Sequence, residues 1–252
     1  MKIQYASDLH LEFEENRDLF DEGILKPSAD ILILAGDISR FQHETILNVR
    51  QFEYLRDNWK QVYVIPGNHE FYGRRIMFKA FDHRPKIFDN VQYVNNQSIV
   101  IDDVEIFFTT LWSKLSSSRV EGMISDFYHC KMRNKPYRYI DHNNLHTQAV
   151  EWLDKAIKES KANKKIVVSH FVPSLKVDGY PSEQSNDIFK EYFVCNNIDS
   201  KLQEWDIDTW IYGHNHFNND VEEFGIKFKS NMLGYVMHGE HEKFDGCKVI
   251  EI

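Results

Sequence analysis

Cysteine is scarce in this chain: Cys130, Cys195 and Cys247 form an odd, scattered set without any C-x-x-C spacing. A disulfide framework and a thiolate zinc site are therefore not expected, and ordinary reduced thiols are. Long apolar runs are also missing. Met1-Lys2 leads directly into Ile3-Gln4-Tyr5-Ala6, and nothing like a signal peptide or a transmembrane helix follows, so the expectation is a soluble, cytoplasmic protein with no membrane partner. Positive charge is in deficit. Thirty basic residues against 39 acidic ones leave a formal net charge of -9, which disfavours a generic polyanion-binding surface because gripping a phosphate backbone requires clustered Lys and Arg. Gly122, Gly179 and Gly234 lie in no nucleotide-binding fingerprint, so neither dinucleotide nor P-loop chemistry is indicated. No internal repeat and no low-complexity tail is present.

The 252 residues fit one α/β domain, or a domain with a small cap, and the 42% hydrophobic and 27% charged content rules out a disordered chain. Short apolar runs alternate with longer helix-like stretches, as in a layered α/β fold. Expected strands are Ile3 to Ala6, Ile31 to Ala35, Val62 to Ile65, Ile166 to Ser169 and Thr209 to Tyr212, all rich in β-branched or large apolar residues. Glu44 to Asn58 and Leu145 to Ala162 carry apolar residues at helical intervals and are expected to pack on a sheet. Gln92 to Val100 and Val104 to Thr109 are further expected strands, separated by a turn at Asp102-Asp103, and the region from Asp220 to Ile252 alternates like β structure. Residues 111–141 are polar, aromatic and irregular, and are expected to be either a cap-like insertion or a plain surface connection. A second irregular stretch covers residues 173–186.

Five expected strands end in a short polar turn that carries a possible metal ligand: Asp8 and His10, then Asp37, Asn68, His170, and finally His214 with His216. In open α/β sheets, sites form beyond the carboxyl ends of the strands, so ligands distant in sequence can converge there. Each block alone has an ordinary explanation. Asp-x-His is a common loop feature, Gly36-Asp37 is standard turn chemistry, and a lone His170 is more often a hydrogen-bonded structural histidine. Gly67-Asn68-His69-Glu70 and Gly213-His214-Asn215-His216 are more specific, because each presents several donors on a Gly-initiated turn. Five coincidences at the same end of five strands are far less probable than one dinuclear site.

Through Asp8-Leu9-His10, Gly36-Asp37, Gly67-Asn68-His69-Glu70, Ser169-His170 and Gly213-His214-Asn215-His216, in that order and up to about residue 216, the chain resembles the calcineurin-like metallophosphoesterase family. The resemblance implies a β-sandwich-like core flanked by helices. It also implies that Asp8, His10, Asp37 and His216 bind one metal ion and that Asp37, Asn68, His170 and His214 bind a second, with Asp37 as the bridge. Imidazole, carboxylate and amide oxygen suit two divalent or mixed-valence ions of Mn, Fe or Zn. Two such ions about 3.5–4 Å apart would lower the pKa of a shared water and orient the phosphoryl oxygens. His69, outside the ligand set, is the candidate for stabilising the transition state and protonating the leaving alkoxide. Glu70 is a possible partner for a nearby imidazole.

The implied activity is hydrolysis of a small phosphomonoester or phosphodiester, a nucleotide-derived one among the candidates, with Trp112, Phe127 and Tyr128 as candidate stacking surfaces and Arg40 as a candidate phosphate contact. A nuclease is the second enzyme reading, but no basic groove is evident. Lys161, Lys164 and Lys165 are accounted for by a helix dipole. A non-catalytic metal-binding scaffold is a third, disfavoured by the complete ligand set. His142 and His146 would share a helix face, but the glutamate of an H-E-x-x-H pattern is absent and a solvated helix start is expected. His43, His83, His129, His238 and His241 are expected at the surface or in packing roles.

Overall fold

A computed structural model describes residues 1–41, 47–179 and 187–252 of the chain. His43 and part of the irregular 173–186 stretch lie outside the described residues. Elements in chain order are β1 Lys2–Ala6, α1 Glu14–Asp21, β2 Ile31–Leu34, α2 Val49–Asn58, β3 Gln61–Val64, β4 Lys86–Phe88, β5 Val91–Tyr93, β6 Gln97–Ile101, β7 Val104–Thr109, α3 Asp126–His129, β8 Lys131–Met132, β9 Lys135–Pro136, α4 Tyr139–Glu159, β10 Lys164–Ser169, α5 Asp187–Phe193, α6 Asp199–Glu204, β11 Thr209–Tyr212, β12 Val221–Glu223, β13 Ile226–Ser230 and β14 Val249–Glu251.

Two six-stranded sheets form the body, in the orders β14-β1-β2-β3-β5-β4 and β12-β13-β11-β10-β7-β6. Each is parallel through its middle and antiparallel at both edges. The two-residue period of a strand divides its side chains between two cores. Ile3, Tyr5 and Ile33 of the first sheet meet Ile106, Phe108, Ile166 and Val168 of the second in the layer between the sheets. Their neighbours Leu32, Leu34, Phe107 and Val167 face outward into a larger cluster with the helices, which includes Phe52 and Leu55 of α2 and Leu153 and Ile157 of α4. Burial on both faces is why the central strands read as nearly continuous apolar runs. The expected layered α/β architecture is the observed one.

Several boundaries differ from the sequence expectation; the helix expected from Glu44 begins at Val49 among the described residues, and residues 44–46 lie outside them. Gln92 to Val100 is not one strand: the chain leaves the first sheet after Tyr93 and enters the second at Gln97. The crossing is made at Asn95 and Asn96, the latter with φ of 45°. Their amides satisfy the backbone there, as Asn95 donates to Ala80 O (2.8 Å) and accepts from Thr110 N (2.8 Å). α4 begins at Tyr139, six residues before the expected start, where Arg138 N donates to Asp141 Oδ2 (3.0 Å). α1, α5 and α6 are short helices that the apolar pattern did not single out.

Residues 111–141 are partly woven into the core. Trp112, Leu115, Val120 and Tyr137 are buried there, whereas Met123, Ile124 and Ser125 face a cavity described below. Trp112 and Phe127 are therefore packing residues and not stacking surfaces, because neither reaches the cavity wall. His142 and His146 are buried rather than solvated. His142 Nε2 lies 3.0 Å from Ser113 Oγ and His146 Nδ1 lies 3.0 Å from Trp112 O. Lys164 and Lys165 start a strand and are held by Asp208 (2.7 Å) and Asp206 (2.8 Å), so ion pairs rather than a helix dipole account for them. Cys130 and Cys195 are buried free thiols, and Cys247 is an exposed one. Among the described residues, no helix is long and apolar enough to cross a membrane.

Candidate metal centre

β1, β2, β3, β10 and β11 run parallel within their sheets, so their carboxyl ends open on one edge of the sandwich. The turns after them carry Asp8 and His10, Asp37, Asn68 and His69, His170, and His214 with His216. Asp8, His10, Asp37, His214 and His216 all have positive φ, from 46° to 83°. Asp and His enter that region more readily than bulky residues, and such conformations persist where the surrounding structure holds them. Hydrogen bonds do so here: Asp8 N donates to Gly36 O (2.9 Å), His10 N to Asp37 O (2.9 Å), His69 N to Asp37 Oδ1 (2.9 Å) and His214 N to Asp8 Oδ1 (3.1 Å). Gly67 is required by close approach, since a Cβ there would collide with Asp37 Oδ1 and lie 2.7 Å from His170 Nε2.

All seven expected ligands and His69 are brought together. Asp8, His10 and His216 place donor atoms within 4.8 Å of one another, as do His10, Asp37 and His69, and also Asp37, His170 and His214. Asp37 Oδ2 is 3.8 Å from His10 Nε2 and its Oδ1 is 3.4 Å from His170 Nε2, so this carboxylate stands between two clusters. Asn68 Oδ1 joins the second at 3.1 Å from His170 Nε2.

The donor set fits divalent cations. His10 Nε2 faces His216 Nε2 at 3.1 Å, and His214 Nδ1 faces His170 Nε2 at 3.1 Å. Two imidazole lone pairs this close repel unless a proton or a cation lies between them. Fixed negative charge supplies the attraction. Burial pulls the His170 and His216 imidazoles down, but Asp37 raises the first to about 9 and Asp8 with Glu240 raises the second to about 10. Burial likewise works against the Asp37 carboxylate, yet His170, His69 and His10 hold it well below the usual range. Buried His214 Nε2 has no hydrogen-bond partner.

The far nitrogens of His170, His216 and His10 are tied down, which fixes which nitrogen of each faces the centre. His170 Nδ1 meets Ala35 O (2.9 Å), His216 Nδ1 meets Glu240 Oε2 (2.6 Å) and His10 Nδ1 meets Glu12 Oε1 (3.2 Å). Glu12 also takes His69 Nδ1 at 2.7 Å. Burial lowers the His69 imidazole, and the Asp37 and Glu12 carboxylates outweigh it and raise it. Its Nε2 points to Tyr235 OH (3.4 Å). Glu70 does not orient an imidazole. It accepts from the backbone N–H groups of Gly67 (2.7 Å), Ile38 (2.8 Å) and Asp37 (3.1 Å), locking two ligand turns to each other. Asp126, from α3, accepts Asn68 Nδ2 (2.9 Å), Tyr72 OH (2.6 Å) and Tyr192 OH (2.7 Å).

Glu12, Tyr235, Glu240 and Asp126 were not singled out from the sequence. Glu12 alone had a local signal, since it continues the alternation Asp8, His10, Glu12; the other three reach the centre only through tertiary folding. Arg40 stacks over the Tyr72 ring at 5.9 Å and does not line the cavity. The cavity itself holds about 700 Å³ above the donor cluster. Its floor is polar, and Ile124, Phe189, Phe193, Val194 and Phe217 make much of its wall.

A family model described as calcineurin-like phosphoesterase matches residues 1–218. Uncharacterized protein L509 of Acanthamoeba polyphaga mimivirus is 27% identical over 278 residues, covering 99% of this chain and 96% of that one. A phosphopantetheinyl hydrolase of Mycobacterium tuberculosis shares the fold with a TM-score of 0.70 at 16% identity, covering 99% and 95% of the two chains. A dimetal phosphatase of Danio rerio aligns with a TM-score of 0.53 at 12% identity, over 91% of this chain and 86% of its own.

Proposed function

The chain belongs to the calcineurin-like phosphoesterase family and is a metal-dependent phosphoester hydrolase, and on that premise we propose a dinuclear centre that cleaves a small phosphomonoester or phosphodiester. Asp8, His10, Asp37 and His216 hold one ion; Asp37, Asn68, His170 and His214 hold the other. The observation that carries this is the pair of donor clusters sharing Asp37 at the edge of the sandwich. Two divalent ions, when bound, supply the positive charge that acidifies water and withdraws electron density from the phosphoryl group.

The protein's own groups do the rest. Asp37 stands between the two halves, Asn68 Oδ1 joins the second, and His216 and His10 are held in one tautomer by Glu240 and Glu12. His69 donates Nδ1–H to the Glu12 carboxylate, and because Asp37 and Glu12 raise its pKa the imidazolium form carries a second proton on Nε2 at the cavity. It is the group placed to protonate the departing alkoxide. The apolar wall excludes water from one side and receives the organic part of the ester, and residues 123–125 contribute to it as a cap would. A volume of about 700 Å³ suits one small molecule rather than a polymer. The hydrolase of phosphopantetheinyl groups that shares this fold supports a small ester as the substrate class.

The test is hydrolysis of bis-p-nitrophenyl phosphate and p-nitrophenyl phosphate by chelator-stripped protein, before and after adding Mn²⁺. Activity that returns with metal and is absent from Asp37→Ala is the expected result, and the ratio of the two rates sets monoester against diester. Metal-independent turnover, or full activity in Asp37→Ala, would sink the proposal.

A further inference from the structure

Residues 72–79 and 128–138 carry seven of the chain's 30 basic residues and none of its 39 acidic ones. The fold joins these two segments. Gly73 N donates to His129 O (3.1 Å), Ile76 and Met132 form an antiparallel bridge, and Arg133 N donates to Arg75 O (3.1 Å). β8 and β9 then turn the second segment into a ribbon on which Met132 pairs with Lys135. Arg138 is taken by Glu121 (2.6 Å). The other six cations, Arg74, Arg75, Lys79, Lys131, Arg133 and Lys135, are all exposed.

Other surface cations, such as Lys158 with Asp154 and Lys176 with Glu223, have carboxylate partners. Among the described residues none of these six forms an ion pair. Like charges gathered without counter-charges repel one another, so the arrangement costs stability unless an anion takes it up. The local field is felt by His83: burial first, then Lys79 and Arg74, push its imidazole below the usual range, against a smaller pull from Asp82. A shallow cleft of about 360 Å³ lies between Phe78, Met132, Arg133, Asn134 and Lys135. The Arg133 guanidinium carbon lies over the Phe78 ring at 4.0 Å from its centroid, and Arg75 donates to Asn134 Oδ1 (2.7 Å), so the guanidinium positions are set. Tyr128, 64% exposed, stands three residues before Lys131.

We propose that this ribbon is a binding surface for single-stranded nucleic acid, with phosphates on the six cations and bases stacked on Tyr128 and on the guanidinium plane of Arg133. Sequence-tolerant strand binding combines a cationic track with such stacking surfaces. A lipid bilayer is the poorer occupant, because insertion requires an apolar face and Phe78, although 37% exposed, carries the Arg133 guanidinium over its ring. The surface shares no lining residue with the cavity over the metal centre, so it adds a second site to the hydrolase and does not depend on how the centre works. It is a local basic surface on a chain whose net charge of -9 disfavours only a generic polyanion-binding one.

Fluorescence anisotropy of labelled oligothymidylate with chelator-stripped protein measures binding without cleavage. Micromolar affinity is expected at about 50 mM NaCl, with log K falling against log salt by about 0.7 for each phosphate neutralised. The triple variant Arg75→Glu, Arg133→Glu, Lys135→Glu should lose about tenfold or more in affinity, while its circular dichroism and p-nitrophenyl phosphate hydrolysis stay as in the parent. No binding at low salt, or equal binding by the variant, overturns the proposal. So does capture by phosphatidylserine vesicles without oligonucleotide binding, or a dimer of the chain that the three substitutions dissociate.

Discussion

Two imidazoles depend on one buried carboxylate. The Glu12 side chain is 1% exposed and takes His10 Nδ1 at 3.2 Å and His69 Nδ1 at 2.7 Å. Its negative charge, with that of Asp37, is what raises His69. Glu12→Gln should therefore lower the His69 pKa. As a proton donor His69 works below its pKa, so the alkaline limb of kcat/KM should move to lower pH, by about one unit for a lost charge-assisted hydrogen bond. A pH–rate profile on a substrate with a poor leaving group reads this, and an unmoved alkaline limb would count against His69 as the donor. Asp126 acts on a different side chain. By accepting Asn68 Nδ2 it turns Asn68 Oδ1 toward His170 Nε2. Asp126→Asn should weaken one of the two metal ions about 10–100-fold while the ion at Asp8, His10 and His216 stays. Metal titration by calorimetry distinguishes a selective loss from a general one.

At the level of elements, α4 carries a pH liability as well as packing. His142 is fully buried on it, its Nδ1 has no partner, and burial followed by the neighbouring His146 depresses its pKa from 6.5 to about 3. The folded state therefore binds fewer protons than the unfolded state between these values. Stability contributed by the neutral form is present above pH 6.5 and is lost on acidification toward pH 3, at about 1.4 kcal/mol per pH unit. Urea unfolding in chelator at pH 7 and 5 should show His142→Gln losing about 2 kcal/mol less than the parent over that interval. An equal loss in both would mean that His142 is not a source of the acid sensitivity. The turns after the strands carry the opposite requirement, rigidity: the Gly67 turn leaves no room for a Cβ between Asp37 and His170.

For the whole molecule, the centre ties the two sheets together. Asp8, His10, Asp37 and Asn68 follow strands of the first sheet, and His170, His214 and His216 follow strands of the second. Metal bound there stabilises the folded chain by mass action, about 2.7 kcal/mol at a hundred times Kd, which is about 5–10 °C in Tm for a domain of this size. Thermal melts should rise with Mn²⁺, fall with chelator, and show no metal response in Asp37→Ala. Because His170 and His216 are raised to about 9 and about 10, metal uptake should release protons and weaken as pH falls.

The sequence by itself determined the strand cores and the polar turns after them. Thr209–Tyr212 and Val104–Thr109 were legible to the residue, because strands buried on both faces show as nearly continuous apolar runs. Donor types at each strand end were legible too, since the turns hold them in compact blocks. What only the tertiary structure decided is pairing across distance. The chain's change of sheet at Asn95-Asn96 depends on carbonyl and amide groups of other segments. Glu240 reaches His216 across 24 residues and Asp126 reaches Asn68 across 58. The basic ribbon is two segments whose bonded residues, such as Gly73 with His129 and Arg75 with Arg133, lie more than 50 positions apart in the chain. Local patterns report which face of an element is buried; they carry no information about which other element covers it, because that is set by the packing of the sheets and the turns between them.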